Sequence, residues 1–368
     1  MVSFDVPEPP DYGGAVDVYY KVMALAELGV DIHLHCFQYG RGQAVQLERI
    51  CQSVQYYERD FSWRHHFADV PFIVASRRNE LLIRRLETAG DPVLIEGLHN
   101  GFLLEAEALQ GVPLYLRAHN VEHRYYRSLA EVSASVGKRW YLKREARKLE
   151  RYEKIVGRAR RVFPLSVCDR DYFIRYSKQV DYIPVFHSVD RLQPRLDRGK
   201  YALYHGNLSV PENDRAARYV VEEIWPGLPF PLVIAGQNAA PGLKRLVDQA
   251  PQVQLLEPRS VADMDRIIGE AHLHILPTFQ ATGMKLKLLH ALFRGRHVVV
   301  NAPMITDPAL GTLCHQFDTP AAARDLIRSL QGRTVTRTEW EQREQVWQER
   351  FHNVRNGELL LANMRSGS

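Results

Sequence analysis

Residues 10–37 read PDYGGAVDVYYKVMALAELGVDIHLHCF and decide the fold of the first half of this 368-residue chain. A turn-rich loop ends in Gly13-Gly14, and apolar residues at helical spacing then predict a helix over residues 15–28. Gly29 suits the position just past that helix, and the alternating residues 31–37 predict a strand. With a short strand at residues 2–4, the order is strand, glycine loop, helix, strand, which is a βαβ unit.

The same alternation continues along the chain. Further strands are predicted at residues 70–75, 92–96, 113–117 and 161–165, and after residue 200 at 201–204, 231–235, 253–256, 272–276 and 297–301. Helices are predicted at residues 214–224 and 287–293. The strand segments are rich in Val, Leu and Ile, which is typical of parallel strands that are buried on both faces.

The chain is longer than a single hydrophobic core supports, so two domains are expected. The polar segment 187–200, HSVDRLQPRLDRGK, is predicted to be the linker between them. We therefore predict an α/β protein with two Rossmann-like, doubly wound domains facing across a cleft, in residues 1–190 and 191–340. Residues 341–368 have helical spacing and are expected to pack back on the first domain.

Composition limits the classes of function. The net charge is +5, from 48 Lys and Arg against 43 Asp and Glu, which permits an anionic ligand or membrane surface without requiring one. No apolar run reaches the roughly 20 residues of a membrane-spanning helix, Asp5 and Glu8 interrupt any signal-peptide pattern, and the four cysteines lack C-x-x-C spacing. We therefore expect a cytoplasmic protein. We also expect that it binds no nucleic acid, because basic residues do not interleave with aromatics in a recognisable module.

A long charged helix is predicted over residues 138–156. Two interpretations are open: a solvent-exposed face with i, i+4 ion pairs, or a basic patch near residues 138–161 that faces an anionic lipid surface. The second would make the protein peripheral at the inner face of the membrane.

Four segments follow predicted strands, where doubly wound sheets bind their ligands. Gly13-Gly14 lets a backbone approach a ligand at a helix N-terminus, although a tight turn explains the pair equally well. His205-Gly206-Asn207-Leu208-Ser209 combines a permissive glycine with polar side chains. In residues 117–123, RAHNVEH, the side chains of His119, Asn120 and His123 suit hydrogen bonding to a polyhydroxylated ligand, and no clear third ligand indicates a metal.

The fourth segment, residues 280–292, reads QATGMKLKLLHAL. Gly283 frees the backbone, the N–H groups of Gly283, Met284 and Lys285 begin a helix, and Lys285 and Lys287 add positive charge. These features predict a diphosphate site. The alternative is an amphipathic helix whose lysines are merely solvated.

Five segments carry a resemblance to a known family. In chain order they are PDYGGAVDVYYKVMALAELGVDIHLHCF, RAHNVEHRYYR, YHGNLSVPEND, LVIAGQN and ATGMKLKLLHALFRGRHVVVN. Together they resemble a bacterial glycosyltransferase family 4 enzyme with the GT-B fold. The resemblance implies a retaining, metal-independent hexosyltransferase without cofactors. It would move a hexose from a nucleoside diphosphate sugar to a glycan or lipid-linked acceptor in cell-surface polysaccharide biosynthesis.

The resemblance also implies site residues. His119 would lie beside the transferred sugar as the catalytic residue, with Asn120 and His123 on the acceptor side. Lys287 and the N–H groups of Gly283 and Met284 would hold the diphosphate. The full expected donor-binding set is Gly13, Gly14, Gly206, Asn207, Thr282, Gly283, Met284, Lys285, Lys287 and His290.

The chain departs from the family at one pair of positions. Two acidic residues eight apart are common there, and here the positions hold Thr282 and His290. A histidine can hydrogen-bond to ribose hydroxyls, but it is not a strong double acceptor. Two rival functions therefore stay open: a sugar-nucleotide epimerase of the GT-B type, and a non-catalytic protein that binds nucleotides or glycans.

Overall fold

The computed structural model describes residues 1–133, 135–280, 283 and 285–366. The chain folds into two compact units. The first holds residues 1–188 and the chain from residue 350 onward, and the second holds most of residues 189–349.

The first unit is built on a six-stranded parallel sheet. Its strands are β1 (Val2–Ser3), β2 (His33–Gln38), β3 (Ser53–Glu58), β4 (Val93–Glu96), β5 (Leu114–Ala118) and β6 (Arg161–Pro164), in the order β3-β2-β1-β4-β5-β6. Its helices are α1 (Gly13–Glu27), α2 (Val45–Ile50), α3 (Phe72–Ala75), α4 (Glu80–Ala89), α5 (Glu122–Glu131), α6 (Val136–Tyr152) and α7 (Val167–Phe173).

The second unit repeats this arrangement. Its strands are β7 (Tyr201–His205), β8 (Leu232–Ala235), β9 (Val253–Leu256), β10 (Ala271–Leu276), β11 (His297–Val300) and β12 (His315–Gln316), in the order β12-β11-β10-β7-β8-β9. The helices are α8 (Pro211–Tyr219), α9 (Pro241–Asp248), α10 (Val261–Glu270), α11 (Leu286–Arg294), α12 (Pro308–Gly311), α13 (Pro320–Leu330) and α14 (Arg337–Val346). The last helix, α15 (Asn353–Arg365), belongs to the first unit.

In both sheets the strand order reverses between the first and fourth strands. These are β1 and β4 in the first unit and β7 and β10 in the second. A doubly wound sheet binds its ligand outside the carboxyl ends of the strands at such a reversal. Each unit therefore has a defined edge at which to look for a site.

The helix α15 packs against α1 in the first unit. The contact is close because Gly357 has no side chain: a Cβ there would lie 2.9 Å from Leu28 Cδ1. Tyr115 OH also donates a hydrogen bond to the carbonyl of Met364 at 2.6 Å. The C-terminal segment is thus part of the hydrophobic core of the first unit.

One predicted strand, at residues 70–75, is wrong. The segment forms the short helix α3, preceded by Pro71, and its first free N–H, that of Phe72, donates to Glu145 Oε2 at 2.7 Å. A short apolar run does not distinguish a buried strand from a buried helix, and here a carboxylate from α6 caps the helix. The edge strand β3 was not predicted, because its sequence SVQYYE is largely polar.

Candidate functional site

Five polar side chains converge at the carboxyl edge of the first sheet, beside β1 and β4. Asp17 and Lys21 lie one turn apart on α1, Glu96 ends β4, Arg117 lies on β5, and His119 follows it directly. All five are buried, with His119 the most exposed at 5%. We call this group the buried charge cluster.

The two carboxylates of the cluster are bound by two cations. Lys21 Nζ donates to Asp17 Oδ2 at 2.9 Å and to both oxygens of Glu96 at 2.8 Å. Arg117 donates to Asp17 from Nε at 3.1 Å and from Nη2 at 2.9 Å. Two positive and two negative charges therefore balance inside the unit, as buried ionised groups require. His119 Nε2 completes the group, 2.9 Å from Glu96 Oε2.

The cations keep both acids ionised. Burial by itself would raise the pKa of Asp17, but Arg117 and Lys21 outweigh it, and the pKa lies below its usual value. Burial likewise opposes ionisation of Glu96, and the charge of Lys21 and the hydrogen bond from His119 bring that pKa below its usual value. Glu96 is therefore a carboxylate and can only accept hydrogen bonds.

Asp17, Glu96 and His119 also have the composition of a metal site, since their ligand atoms lie within 4.8 Å of one another. The ammonium of Lys21, however, lies between the two carboxylates at hydrogen-bond distance from both. A divalent ion at this point would meet the positive charges of Lys21 and Arg117. The group therefore fits an internal ion-pair network better than a metal centre.

Part of the buried charge cluster has a structural role. Arg117 Nη1 donates to the carbonyl of Ile183 at 2.7 Å, and Nη2 donates to that of Pro184 at 2.9 Å. The N–H of Phe186 donates to Asp17 Oδ1 at 2.9 Å. Asp17 and Arg117 thus bind the backbone of residues 183–186, which follow the first sheet. Glu96 instead accepts a hydrogen bond from His119.

The structure separates His119 from His123, which the sequence had grouped. His123 is the second residue of α5, and its Nδ1 lies 2.7 Å from Glu153 Oε2, while its N–H donates to the other oxygen. The neighbouring Glu122 is buried, and burial together with the charge of Glu153 raises its pKa to about 8. His123 is therefore bound to a different carboxylate, that of Glu153, than His119. Asn120 lies in the bend between the two histidines.

The glycine pair at the start of α1 has a packing role in addition to any contact with a ligand. A Cβ on Gly14 would lie 2.5 Å from Phe4 Cζ, so a side chain there would collide with that ring. Gly13 is exposed and is the first residue of the helix. Of the two, Gly13 has the backbone that a ligand can reach.

In the second unit the corresponding edge holds Lys287, in the first turn of α11. Its Nζ donates to Asn213 Oδ1 at 2.9 Å and lies 3.3 Å from Tyr204 OH, and it sits 5.1 Å from the centre of the Tyr204 ring. Within the described residues no carboxylate forms an ion pair with this ammonium. Its hydrogen-bond partners are neutral, so its charge is available to an anion.

Burial, with a smaller contribution from Lys285, lowers the pKa of Lys287 to about 7, and Glu212 opposes the shift. A half-buried lysine without a carboxylate partner is destabilised as a cation. An anion bound at Nζ would relieve this penalty and raise the pKa. Such a perturbed lysine at a sheet reversal is a candidate for ligand binding.

Asn213 connects Lys287 to the loop that follows β7. Its Nδ2 donates to the carbonyl of Asn207 at 2.9 Å, and a Cβ on Gly206 would lie 3.2 Å from its amide. Asn207 Oδ1 accepts from the N–H and the hydroxyl of Ser209. The structure thus brings Gly206, Asn207 and Lys287, three residues of the expected donor-binding set, around Asn213, which the sequence did not single out.

The loop after β10 is held from two sides. Glu212 Oε1 accepts from Thr278 Oγ1 at 2.9 Å and from the N–H of Phe279 at 2.6 Å. Asn301 exchanges two hydrogen bonds with the backbone of Thr278. The loop therefore leaves the sheet in a fixed direction.

The following helix begins within one residue of the predicted range 287–293, but the expectation that the N–H of Gly283 begins it is wrong. The helix α11 begins at Leu286 with Lys285 as its N-cap, and Gly283 lies before it with a φ of +67°, a conformation that favours glycine. His290 lies on α11, one turn after Lys287, and is half-buried. Thr282 and Met284, expected in the donor site, lie outside the described residues.

Sequence reasoning missed Asp17, Lys21, Glu96, Tyr204 and Asn213. The available signal was weak but real: Asp17 and Lys21 interrupt the apolar face of a helix, and Glu96 ends the apolar run VLIE. A charged residue on the apolar face of a helix is expected to be buried, and buried charged residues are usually paired with an opposite charge. The pattern could therefore have indicated an internal ion pair.

No helix of the described residues is long and apolar enough to cross a membrane.

Comparison with known proteins adds three findings. Residues 199–331 match a family model described as glycosyl transferases group 1. An uncharacterised 44.6 kDa protein in the cps region of Klebsiella pneumoniae is 27% identical over 320 residues, which is 81% of each chain.

Among solved structures, the similarity extends over nearly the whole chain. WaaG, a glycosyltransferase involved in lipopolysaccharide biosynthesis, matches with a TM-score of 0.61 at 12% identity, over 95% of each chain. HepE from Anabaena, solved in complex with UDP and glucose, matches with a TM-score of 0.60 at 13% identity, over 94% of this chain and 95% of its own. At these identities the likeness shows the fold, and it confirms the predicted GT-B class. The chain therefore has the GT-B fold, and its residues 199–331 match the family model of the group 1 glycosyl transferases.

Proposed function

We propose that this protein is a glycosyltransferase that moves a hexose from a nucleoside diphosphate sugar to a glycan or lipid-linked acceptor, with retention of anomeric configuration. The observation that carries the proposal is Lys287, whose charge has neutral partners and lies beside the permissive loop of Gly206 and Asn207. A leaving diphosphate needs positive charge close to its oxygens. In this proposal Lys287 supplies it, and the N–H of Gly283 adds a hydrogen bond.

His119 is the proposed catalytic residue of the first unit. Glu96 accepts from Nε2, so the neutral ring keeps its proton on that nitrogen and leaves Nδ1 for other contacts. A histidine held in one orientation can position a sugar as positive charge develops at the anomeric carbon. The leaving phosphate can accept the proton of the acceptor hydroxyl, so no protein base is required in this proposal.

We also propose that the transfer needs no metal ion. The ammonium of Lys21 occupies the position between Asp17 and Glu96 where a metal ion could otherwise bind. In this proposal Lys287 of the second unit provides the positive charge for the diphosphate. Metal-dependent glycosyl transfer uses a cation to neutralise the departing diphosphate, a role that a lysine and helix N-terminal amides can perform instead.

The proposed pathway is the biosynthesis of cell-surface polysaccharide, in the cytoplasm or at the inner face of the membrane. Support comes from the Klebsiella pneumoniae relative in the cps region and from the fold shared with WaaG. The Anabaena protein was solved with UDP and glucose, which makes UDP-hexoses the first donors to test.

The test is a screen of UDP-, GDP-, ADP- and dTDP-hexoses for stabilisation against heat, followed by transfer assays with the hits. A ligand that binds only the native state raises the melting temperature through mass action. We expect one nucleotide to stabilise the protein and its sugar to be transferred with the anomeric configuration of the donor, as read by proton NMR of the product. Conversion of a single UDP-sugar without any acceptor would instead identify an epimerase, and binding without turnover would leave a non-catalytic protein.

A further inference from the structure

An unusual group of exposed apolar side chains lies on two segments of the first unit. On residues 59–70, Phe61, Trp63 and Phe67 are 54%, 71% and 69% exposed. On α6, Val136 and Trp140 are 77% and 65% exposed. Single exposed apolar residues are ordinary, whereas several on adjoining segments mark an interaction surface.

The two segments are neighbours in the fold. The ring of His66 lies 5.5 Å from that of Tyr141, the residue after Trp140. Lys148 Nζ donates to the carbonyl of His66 at 3.1 Å. The rings of Trp63 and Phe67 themselves meet edge to face at 5.7 Å. The aromatic segment is therefore held against α6.

The exposed face of α6 continues this surface with positive charge. Val136, Trp140, Lys143, Arg147 and Arg151 follow one another at spacings of three and four residues and are all exposed, so they form a single stripe. Lys138 and Arg139 flank the stripe and are also exposed.

The positive charges at the start of α6 are unfavourable for the helix dipole. Lys138 and Arg139 lie near the helix N-terminus, whose first turn contains no acidic residue, although the helix dipole favours negative charge there. Of the acidic side chains nearby, Glu145 is buried against Lys148, and Asp60 binds His65. Asp69 is exposed. Positive charge predominates on the exposed side of residues 135–147.

We propose that this aromatic–basic surface, formed by Phe61, Trp63, Phe67, Val136, Trp140 and the cations of α6, lies on an anionic lipid bilayer. Tryptophan rings sit at the headgroup level of a bilayer, and lysine and arginine bind anionic headgroups while their stems cover apolar surface. The inference rests on the proposed function in one respect: it would bring the enzyme to a lipid-linked acceptor.

The structure offers a direct spectroscopic probe. The chain has five tryptophans, and Trp225, Trp340 and Trp347 are buried, at 4%, 4% and 7% exposure. Only Trp63 and Trp140 are therefore open to solvent, and both lie on the proposed surface. We expect vesicles containing phosphatidylglycerol to shift the emission to the blue and to protect it from acrylamide, and vesicles of phosphatidylcholine alone to have little effect.

Sedimentation with the same vesicles measures the contribution of charge. Replacing Lys138, Arg139, Lys143 and Arg147 by Gln should weaken binding by roughly 600-fold, at about fivefold per cation near an anionic surface. The matched control replaces the exposed cations Lys200, Arg266, Arg328 and Arg337 of the second unit by Gln, with the same change in net charge and no expected loss of binding.

Apolar insertion is tested by W63A/F67A/W140A, which should lose binding while keeping the melting temperature, because all three side chains are exposed. Nucleotide-induced stabilisation of the same variants separates this inference from the proposed function. Normal nucleotide binding without vesicle binding in the unaltered protein would overturn the membrane surface alone. Equal loss in the control variant, or a dimer in solution that W63A/F67A/W140A abolishes, would also overturn it.

Discussion

His119 Nε2 lies 2.9 Å from Glu96 Oε2, and both oxygens of the same carboxylate accept hydrogen bonds from Lys21 at 2.8 Å. The carboxylate thus orients the histidine while the lysine orients the carboxylate. Because Glu96 only accepts, it selects the tautomer with the proton on Nε2 whenever the ring is neutral. Glu96 is in this sense a positioning residue for His119.

Replacing Glu96 by Gln should lower kcat about 10- to 100-fold, by analogy with the loss found when the carboxylate partner of a metal-binding histidine is altered. The KM for the donor should stay near its original value, because the proposed nucleotide contacts lie in the second unit. The matched control is Glu153→Gln, which removes the carboxylate that binds His123 at 2.7 Å. If both variants lose the same stability and the same turnover, Glu96 has only a packing role.

The parts of the fold that could be predicted were those with continuous apolar runs. The strands β4, β8, β10 and β11 are buried along their whole length, and each had been located from its sequence to within a residue or two. Gly29, expected just past α1, has a φ of +76°. For strands that are buried on both faces, the continuous apolar composition of the segment is enough to locate the strand.

The remainder depended on contacts that a sequence does not display. The helix α3 is capped by Glu145, a residue 73 positions away from its partner Phe72. The pairing of Lys21 with Glu96 spans 75 positions, so the buried charge cluster became visible only with the sheet order. The place of Lys287 after a glycine loop marks it as a candidate in the sequence, but its partner Asn213 has no distinctive local pattern.

Replacing Lys287 by Ala should weaken the binding of the nucleoside diphosphate by about 1.5–3 kcal/mol, the scale of a hydrogen bond to a charged group. The reason is that the ammonium has only neutral partners in the described residues and lies at the reversal of the second sheet. Isothermal titration calorimetry gives the affinity directly. Lys200→Ala, at an exposed cation of the second unit, is the control for a general loss of positive charge, and unchanged affinity in Lys287→Ala would refute the assignment.

The affinity for the nucleotide should also depend on pH. Burial lowers the pKa of Lys287 to about 7, and a bound diphosphate would raise it, since it interacts only with the charged form. Below pH 7 the lysine is already protonated and binding is at full strength. As the pH rises above 7, binding must take up a proton, and Kd should increase by up to tenfold per pH unit.

Calorimetry in buffers of different ionisation enthalpy would measure this proton uptake. Lys287→Arg provides the control, because arginine stays charged over the whole range and should remove the dependence. A Kd that is constant between pH 7 and pH 9 in the unaltered protein, together with unchanged affinity in Lys287→Ala, would show that Lys287 does not bind the diphosphate.

Removal of divalent metal ions should leave the transferase active. The ammonium of Lys21 lies between Asp17 and Glu96, the carboxylates that a cation would need. In the proposed mechanism Lys287 supplies the charge for the leaving diphosphate. We expect the same turnover after dialysis against EDTA and no stimulation by Mg²⁺ or Mn²⁺. Activity that vanishes with EDTA and returns with either ion would contradict the metal-free mechanism.

Replacing His119 by Ala tests whether this histidine acts in catalysis or in packing. It is 5% exposed, and its ring meets that of Phe4 edge to face at 5.3 Å, so a packing role predicts a lower melting temperature and normal turnover in the folded fraction. A catalytic role predicts a fall in turnover of roughly 10²-fold or more, because positioning a reacting sugar contributes effects of that size. Nucleotide affinity should change little in either case, since the proposed diphosphate ligand Lys287 belongs to the second unit. Melting temperature, nucleotide affinity and turnover measured on the one variant separate the two roles, and normal turnover with a reduced melting temperature would remove His119 from the mechanism.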